Sequence, residues 1–252
     1  MTRYHRLAAA CFAALPVFSP SLAAQAPAEL RSDGADANLA PLAADAFVPL
    51  HAHPGDPGYG VWAGGPDWKA RFDEGMSFFP RLGRQAERNL PWRWVTEGVS
   101  HGAAHASPDA AAPALFSPAR HERRHARFVE RYDVRVDGVE QSFVVEAPFG
   151  EGDLVVAGRV TTELRAASRD ACHAPLEFTD GEGRTVLRYG AAFAIDAAGR
   201  VLPIGSEYRD GHIRLVVPAA WLAGASWPVT VDPLTQSTTI NSFLDDVRAV
   251  GV

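Results

Sequence analysis

His121-Glu122-Arg123-Arg124-His125 is the string in this sequence whose residue types and spacing spell out a reaction. In H-E-x-x-H, a helix puts both imidazoles on one face, where they hold a zinc ion. The glutamate between them then serves as general base toward metal-bound water. Such a site would make the chain a zinc-dependent hydrolase, a peptidase, with His121 and His125 as ligands and Glu122 as base. Ser117 as N-cap and Pro118 at the first helical position could start that helix. The stretch nevertheless lacks the buried stripe a helix needs, offering only Ala119, Ala126, Phe128 and Val129. No Gly-x-x-His continuation follows His125. Glu140 and Glu146 are candidate third ligands but fall in strand-like sequence, and His101 and His105 fall in a loop that imposes no geometry. A period of two explains the segment better. His121, Arg123, His125 and Arg127 share parity with Arg131, Asp133 and Arg135, which predicts one extended run with the histidines turned to solvent. On that reading the chain has no catalytic residue and no cofactor, and zinc is the alternative.

A second constellation is aromatic. Trp62, Trp68, Trp92 and Trp94 lie close together in sequence. Exposed, they would form a ligand platform for sugar rings, the signature of a carbohydrate-binding module. Alternating with charged residues, they read first as the inside residues of strands. Cys172-His173 suggests a nucleophile beside its base. Neighbours on an extended chain point to opposite faces, however, so Cys172 reads as a small buried or half-buried thiol. Asp180, Glu182, Asp196 and Asp210 sit at turns, where turn formation outweighs calcium binding at a sheet edge. The chain has no phosphate-binding glycine loop and no C-x-x-C pair.

The elements that would carry these residues are strands. Tyr132, Val134 and Val136 alternate with charged residues up to the Asp137-Gly138 turn. Val139, Gln141, Phe143 and Val145 then resume the alternation. Further turns at 148–152, 180–183, 196–199 and 210–211 break the rest into short runs, with no helical window to carry a parallel crossover. The expected fold is mostly β, an antiparallel β-sandwich-like arrangement with little helix. Tyr132, Val134, Phe143, Phe178, Ile195, Ile213, Leu215, Val217, Val229 and Val231 are expected inside.

Composition bounds the rest. The chain has 252 residues, 47% hydrophobic, with a net charge of -6. No basic patch dominates, so nucleic acid is not an expected partner. Arg3, His5 and Arg6, an apolar run from Leu7 to Leu15 and the small residues Ser21-Leu22-Ala23-Ala24 read as a signal peptide over 1–23. That predicts a secreted or periplasmic protein associated with the cell surface, with no membrane span. The expected organisation continues with a flexible segment over 24–46 and a β-rich part over 47–99. A loop or linker follows over 100–119, then an antiparallel β domain over 120–234 and a tail over 235–252 that reads as the start of a further domain.

Several motifs carry a resemblance: Tyr59-Gly60-Val61-Trp62, Phe78-Phe79-Pro80, Gly138-Val139-Glu140-Gln141-Ser142-Phe143, residues 189–195 with Asp196-Ala197-Ala198-Gly199-Arg200, and Trp227-Pro228-Val229-Thr230-Val231-Asp232-Pro233. Together, over about 59–234, they resemble a β-rich region near the N-terminus of large secreted bacterial proteins, ahead of propeller-like or adhesin-like repeat domains. The resemblance brings no catalytic residues with it, and H-E-x-x-H is not part of it. It implies a non-catalytic accessory or structural domain, with other domains or cell-surface components as partners. Further domains follow the last motif in such proteins, so the resemblance also implies a truncated product or a split gene.

Overall fold

The computed structural model describes residues 48–80 and 88–237, all within the compact unit Ala40–Val252. The expected signal peptide, the segment 24–46 and the tail beyond Ser237 lie outside the described residues.

The described residues form nineteen strands, with little helix. The first six are β1 (Val48–Ala52), β2 (Val61–Gly64), β3 (Lys69–Phe72), β4 (Met76–Phe79), β5 (Trp92–His101) and β6 (Ala104–Ala106). A second group comprises β7 (Ala114–Ser117), β8 (Arg120–Arg124), β9 (Val129–Arg135), β10 (Gly138–Val145), β11 (Leu154–Thr162) and β12 (Arg169–Cys172). The chain continues with β13 (Leu176–Thr179), β14 (Thr185–Tyr189), β15 (Ala192–Asp196), β16 (Val201–Arg209) and β17 (His212–Val217). A single turn of helix, α1 (Ala219–Leu222), precedes β18 (Val229–Asp232) and β19 (Leu234–Ser237). No helix among them is long and apolar enough to cross a membrane.

The strands pair antiparallel. One ladder runs β1-β2-β3-β4-β5-β11-β17-β16, with β6 on the far end of β5 and β12 beside β16. The other runs β7-β8-β9-β10, and β10 then meets both β18 and β19, which lead on to β15 and β14. The long strand β16 belongs to both: Val201–Ile204 pair with β15, and Gly205–Arg209 pair with β17. The ladders therefore continue into one nearly closed sheet of antiparallel strands.

The inner faces meet through large rings. Trp94 packs on Phe143 and Tyr189, Trp92 on Phe178 and Tyr189, and Phe72 on Tyr132. All of these are almost wholly buried. Every residue expected inside is buried except Ile195, which is half-exposed. On β15 the inward set is Ala192, Ala194 and Asp196. Small side chains take that face, while Asp196 turns in to organise its own hairpin.

The segment 100–119, expected as a loop or linker, holds β6 and β7. Alternation could not reveal β7, because its four residues are all exposed and only backbone pairing to β8 holds it.

Candidate functional site

The H-E-x-x-H string is extended, as the period of two requires, but its histidines face inward. His121, Glu122, Arg123 and Arg124 lie in β8, and a two-residue turn at Ala126-Arg127 closes the hairpin to β9, with His125 N–H donating to Phe128 O. That turn breaks the parity which the sequence reading carried unbroken from His121 to Arg135. His121 packs on Phe72 and Tyr132 and is buried, and burial pushes its imidazole down to about 4. His125 packs on Phe128. Residues i and i+4 on an extended chain stand about 13 Å apart, too far to share an ion with bonds of about 2 Å. Glu122 points elsewhere, into Arg131 and Arg124 at 2.7 Å each. The zinc-hydrolase alternative with His121, His125 and Glu122 therefore lacks its geometry. Among the described residues, no group of three or more His, Cys, Asp or Glu side chains could hold a metal ion.

Beside this hairpin lies a polar cluster the sequence did not announce. Glu130 interrupts the apolar face of β9 and is buried at 2% exposure. Its Oε1 accepts from Thr96 Oγ1 at 2.6 Å, Tyr132 Oη and Gln141 Nε2 at 3.2 Å. Thr96 in turn accepts from the Trp94 indole, and Tyr189 Oη donates to Gln141 Oε1. His125 Nδ1 accepts from Asp109 N–H, so the ring proton sits on Nε2, 3.8 Å from Glu130 Oε2. Burial alone would push the Glu130 carboxyl up, but the bonds from His125, Thr96 and Tyr132 outweigh it and hold it below the ordinary range. The cluster is buried, and its groups are hydrogen-bonded to one another except at His125 Nε2, which faces Glu130 at 3.8 Å. Its role is to fix β5, β9, β10 and β14 to one another.

The tryptophans divide. Trp68, Trp92 and Trp94 are fully buried and are removed from the expected platform. They sit on inward positions of β5 and beside β3, and the Trp68 indole donates to Val136 O at 2.9 Å. Trp62 is half-exposed on the outer face of β2. There it gathers residues that the sequence reading did not join to it. Phe79 stacks on it at 5.7 Å between centroids, and Tyr59 lies tilted against it at 6.3 Å. His51 is its cross-strand partner on β1, and Arg71 is its partner on β3. Lys69 Nζ stands 5.3 Å from the Trp62 ring and 5.2 Å from that of Phe79. His51 Nδ1 donates to Pro49 O, which leaves Nε2 to accept from the Tyr59 hydroxyl at 3.3 Å. An open groove of about 420 Å³ runs along this surface, lined by His51, Tyr59, Trp62, Lys69 and the backbone of Gly64 and Gly65. Parity could have found the set: Trp62, Lys69, Arg71 and Phe79 are the outward residues of three successive hairpin strands.

The turn acids are structural. Asp180 Oδ1 accepts from the N–H groups of Glu182 and Arg184, and Oδ2 meets the Arg184 guanidinium at 2.9 Å. Asp196 repeats the pattern with Ala198, Arg200 and the Arg200 guanidinium. The shared signal is Asp-x-x-Gly-Arg at a hairpin, printed twice in the sequence. Burial would raise the Asp180 carboxyl, yet these hydrogen bonds hold it down to about 2. Cys172 is exposed rather than buried, because β12 is an edge strand paired only to β16.

Asp232 behaves in the opposite way. Burial, the charge of Glu140 and a hydrogen bond shared with that carboxyl push it up to about 7. Its unfolded value is about 3.9. Between those limits the folded chain binds a proton that the unfolded chain has released, so stability falls as pH rises through the window. The full displacement is worth about 4 kcal/mol, and partial exposure screens it to about 1–2 kcal/mol. Asp232→Asn is expected to be more stable than the parent at pH 8 by that amount and nearly equal to it at pH 4. Urea melts at the two pH values measure this. A variant weaker than the parent at pH 8 would refute it.

No family model, no curated protein and no solved structure matches the chain.

Proposed function

We propose that the chain is a carbohydrate-binding module, a non-catalytic accessory domain of a secreted or cell-surface protein. The observation that carries this reading is the outward Trp62, stacked with Phe79 and flanked by Tyr59, at the rim of an open groove. The other expected platform rings are withdrawn into the core. Aromatic faces take the C–H face of a sugar ring, and a few placed polar groups fix its orientation. Here those groups are the Tyr59 hydroxyl, the His51 ring and the Lys69 ammonium.

The fold suits such a role. A nearly closed antiparallel sheet, sandwich-like in the way its inner rings meet, presents a rigid outer face on β1–β4. The buried Glu130 cluster supplies no reacting atom that a substrate could reach. Secretion follows from the signal-peptide reading of residues 1–23 and suits a glycan ligand.

The test is affinity electrophoresis of the purified chain through gels containing polysaccharides, neutral ones (dextran, xylan, mixed-linkage β-glucan) and acidic ones. Retardation in at least one gel is expected. Trp62→Ala should weaken it about tenfold, which corresponds to about 1.4 kcal/mol of lost ring contact. Free migration in every gel, or a Trp62→Ala variant as strongly retarded as the parent, would sink the proposal.

A further inference from the structure

The charge around Trp62 narrows the ligand class. Resting on the glycan-binding reading, we infer that this groove takes an acidic glycan, one whose sugar rings carry carboxylates, with Lys69 and Arg71 receiving the charge.

The chain as a whole is acidic, with a net charge of -6. Its surface cations are mostly matched to carboxylates. Arg93 meets Asp73 and Glu74, Arg120 meets Asp133, Arg135 meets Glu140, and Arg214 meets Glu207. Lys69 and Arg71 belong, with Arg123, Arg127, Arg159, Arg165 and Arg169, to the described cations outside that pattern, and these two share the outer face that carries Trp62. Among the described residues, neither has a carboxylate within 4.0 Å, although both lie on the outer face of β3 beside the groove. None of the residues lining the groove is Asp or Glu. Asp56, on the adjoining turn, is directed back onto the Gly58 N–H. Asp73 and Glu74, at the far end of β3, are committed to Arg93. The groove is therefore a cationic spot on an anionic protein, and an anionic ligand is the one that such a field draws in and holds.

The two cations are positioned without being neutralised. The Lys69 ammonium stands over both the Trp62 and Phe79 rings, a contact that orients the side chain and leaves its N–H donors free to bond. The Arg71 carbon Cζ lies 5.8 Å from the Trp62 centroid, and one Nη2 donor anchors on Gly58 O at 3.1 Å. Its Nε is shielded from solvent and has no hydrogen-bond partner. With Nε shielded, it is the terminal nitrogens of this guanidinium, beside the Lys69 ammonium, that would receive a carboxylate. A sugar ring on Trp62 would bring a ring carboxylate within reach of both. A neutral sugar would leave two desolvated cations without a counter-charge.

The experiment compares each acidic polymer with its own uncharged form. Polygalacturonate, alginate and hyaluronate are each run in affinity gels beside carboxyl-esterified or carboxyl-reduced material, using the intact chain at pH 7. At least one acidic polymer should bind ten times or more tighter than its uncharged form. Lys69→Gln and Arg71→Gln should each erase most of that difference, Lys69→Arg should keep it, and Trp62→Ala should weaken retention about tenfold. Thermal melts confirm that the variants are folded. If a variant does not fold, the parent's acidic-against-uncharged comparison still decides. Equal retention of acidic and uncharged forms, or retention on neutral polymers alone, overturns the inference and leaves glycan binding standing. Retention on no polymer overturns both. Undiminished retention of Trp62→Ala on acidic polymers shows surface adsorption by charge, and overturns both as well.

Discussion

Replacing Glu130 by Ala is expected to destabilise the fold by about 3–5 kcal/mol. The carboxylate accepts from Thr96, Tyr132 and Gln141, and His125 Nε2 faces its other oxygen. Alanine leaves those buried donors without their acceptor. Each buried unpaired donor costs about 1–3 kcal/mol, and partial repacking recovers some of the sum. Glu130→Gln should cost less, because the amide oxygen still accepts. Its amide N–H groups, however, would meet the His125 Nε2–H, donor against donor. Because the Glu130 carboxyl is held below its unfolded value, its contribution is fully present above that unfolded value. It is lost as pH falls through the folded one. Urea melts at pH 7 of the parent and both variants measure the order. A Glu130→Ala variant within about 1 kcal/mol of the parent would show that the cluster is not what ties these strands together.

The legible and illegible parts of this chain divide on the same residues. Strand character was readable wherever apolar and polar side chains alternate, as along β9, β10 and β17. It was unreadable at β7, where every side chain is exposed. Facing was readable within a strand and failed across an unmarked turn. Ala126-Arg127 carries no Gly, Asn or Pro, so the β8–β9 hairpin left no trace, and His121 came out on the wrong face. Glu130 breaks the apolar face that Phe128, Tyr132 and Val134 share, and a lone carboxylate among apolar residues has no partner in sequence. Its partners come from β5, β9 and β10, and only the pairing brings them together. The groove was half visible: Trp62 was singled out, but the three buried tryptophans were indistinguishable from it by type. What separates them is whether the strand face carrying them meets the other ladder.

That separation has its own expected result. Trp94→Ala should destabilise the fold by about 3–5 kcal/mol, the range for deleting a large buried aromatic. The indole is fully buried, stacks on Tyr189 and Phe143, and donates to Thr96 Oγ1 at 2.9 Å. It also lies directly over Gly158 on the neighbouring strand β11. A Cβ there would sit 2.0 Å from the Trp94 ring. Gly158→Ala alone should therefore cost about 1–3 kcal/mol through overpacking. The double variant Trp94→Ala, Gly158→Ala should be more stable than the sum of the two single costs predicts, because removing the ring frees the space that the methyl group needs. Trp62→Ala makes the contrast. Its ring lies on the outer face, and its loss should change stability by less than about 1 kcal/mol while weakening glycan retention about tenfold. Denaturant melts of the four variants beside the parent test the whole pattern. Strict additivity at Trp94 and Gly158 would mean that the ring does not occupy the space over that glycine. A Trp62→Ala variant as unstable as Trp94→Ala would place Trp62 in the core, where it could not meet a sugar.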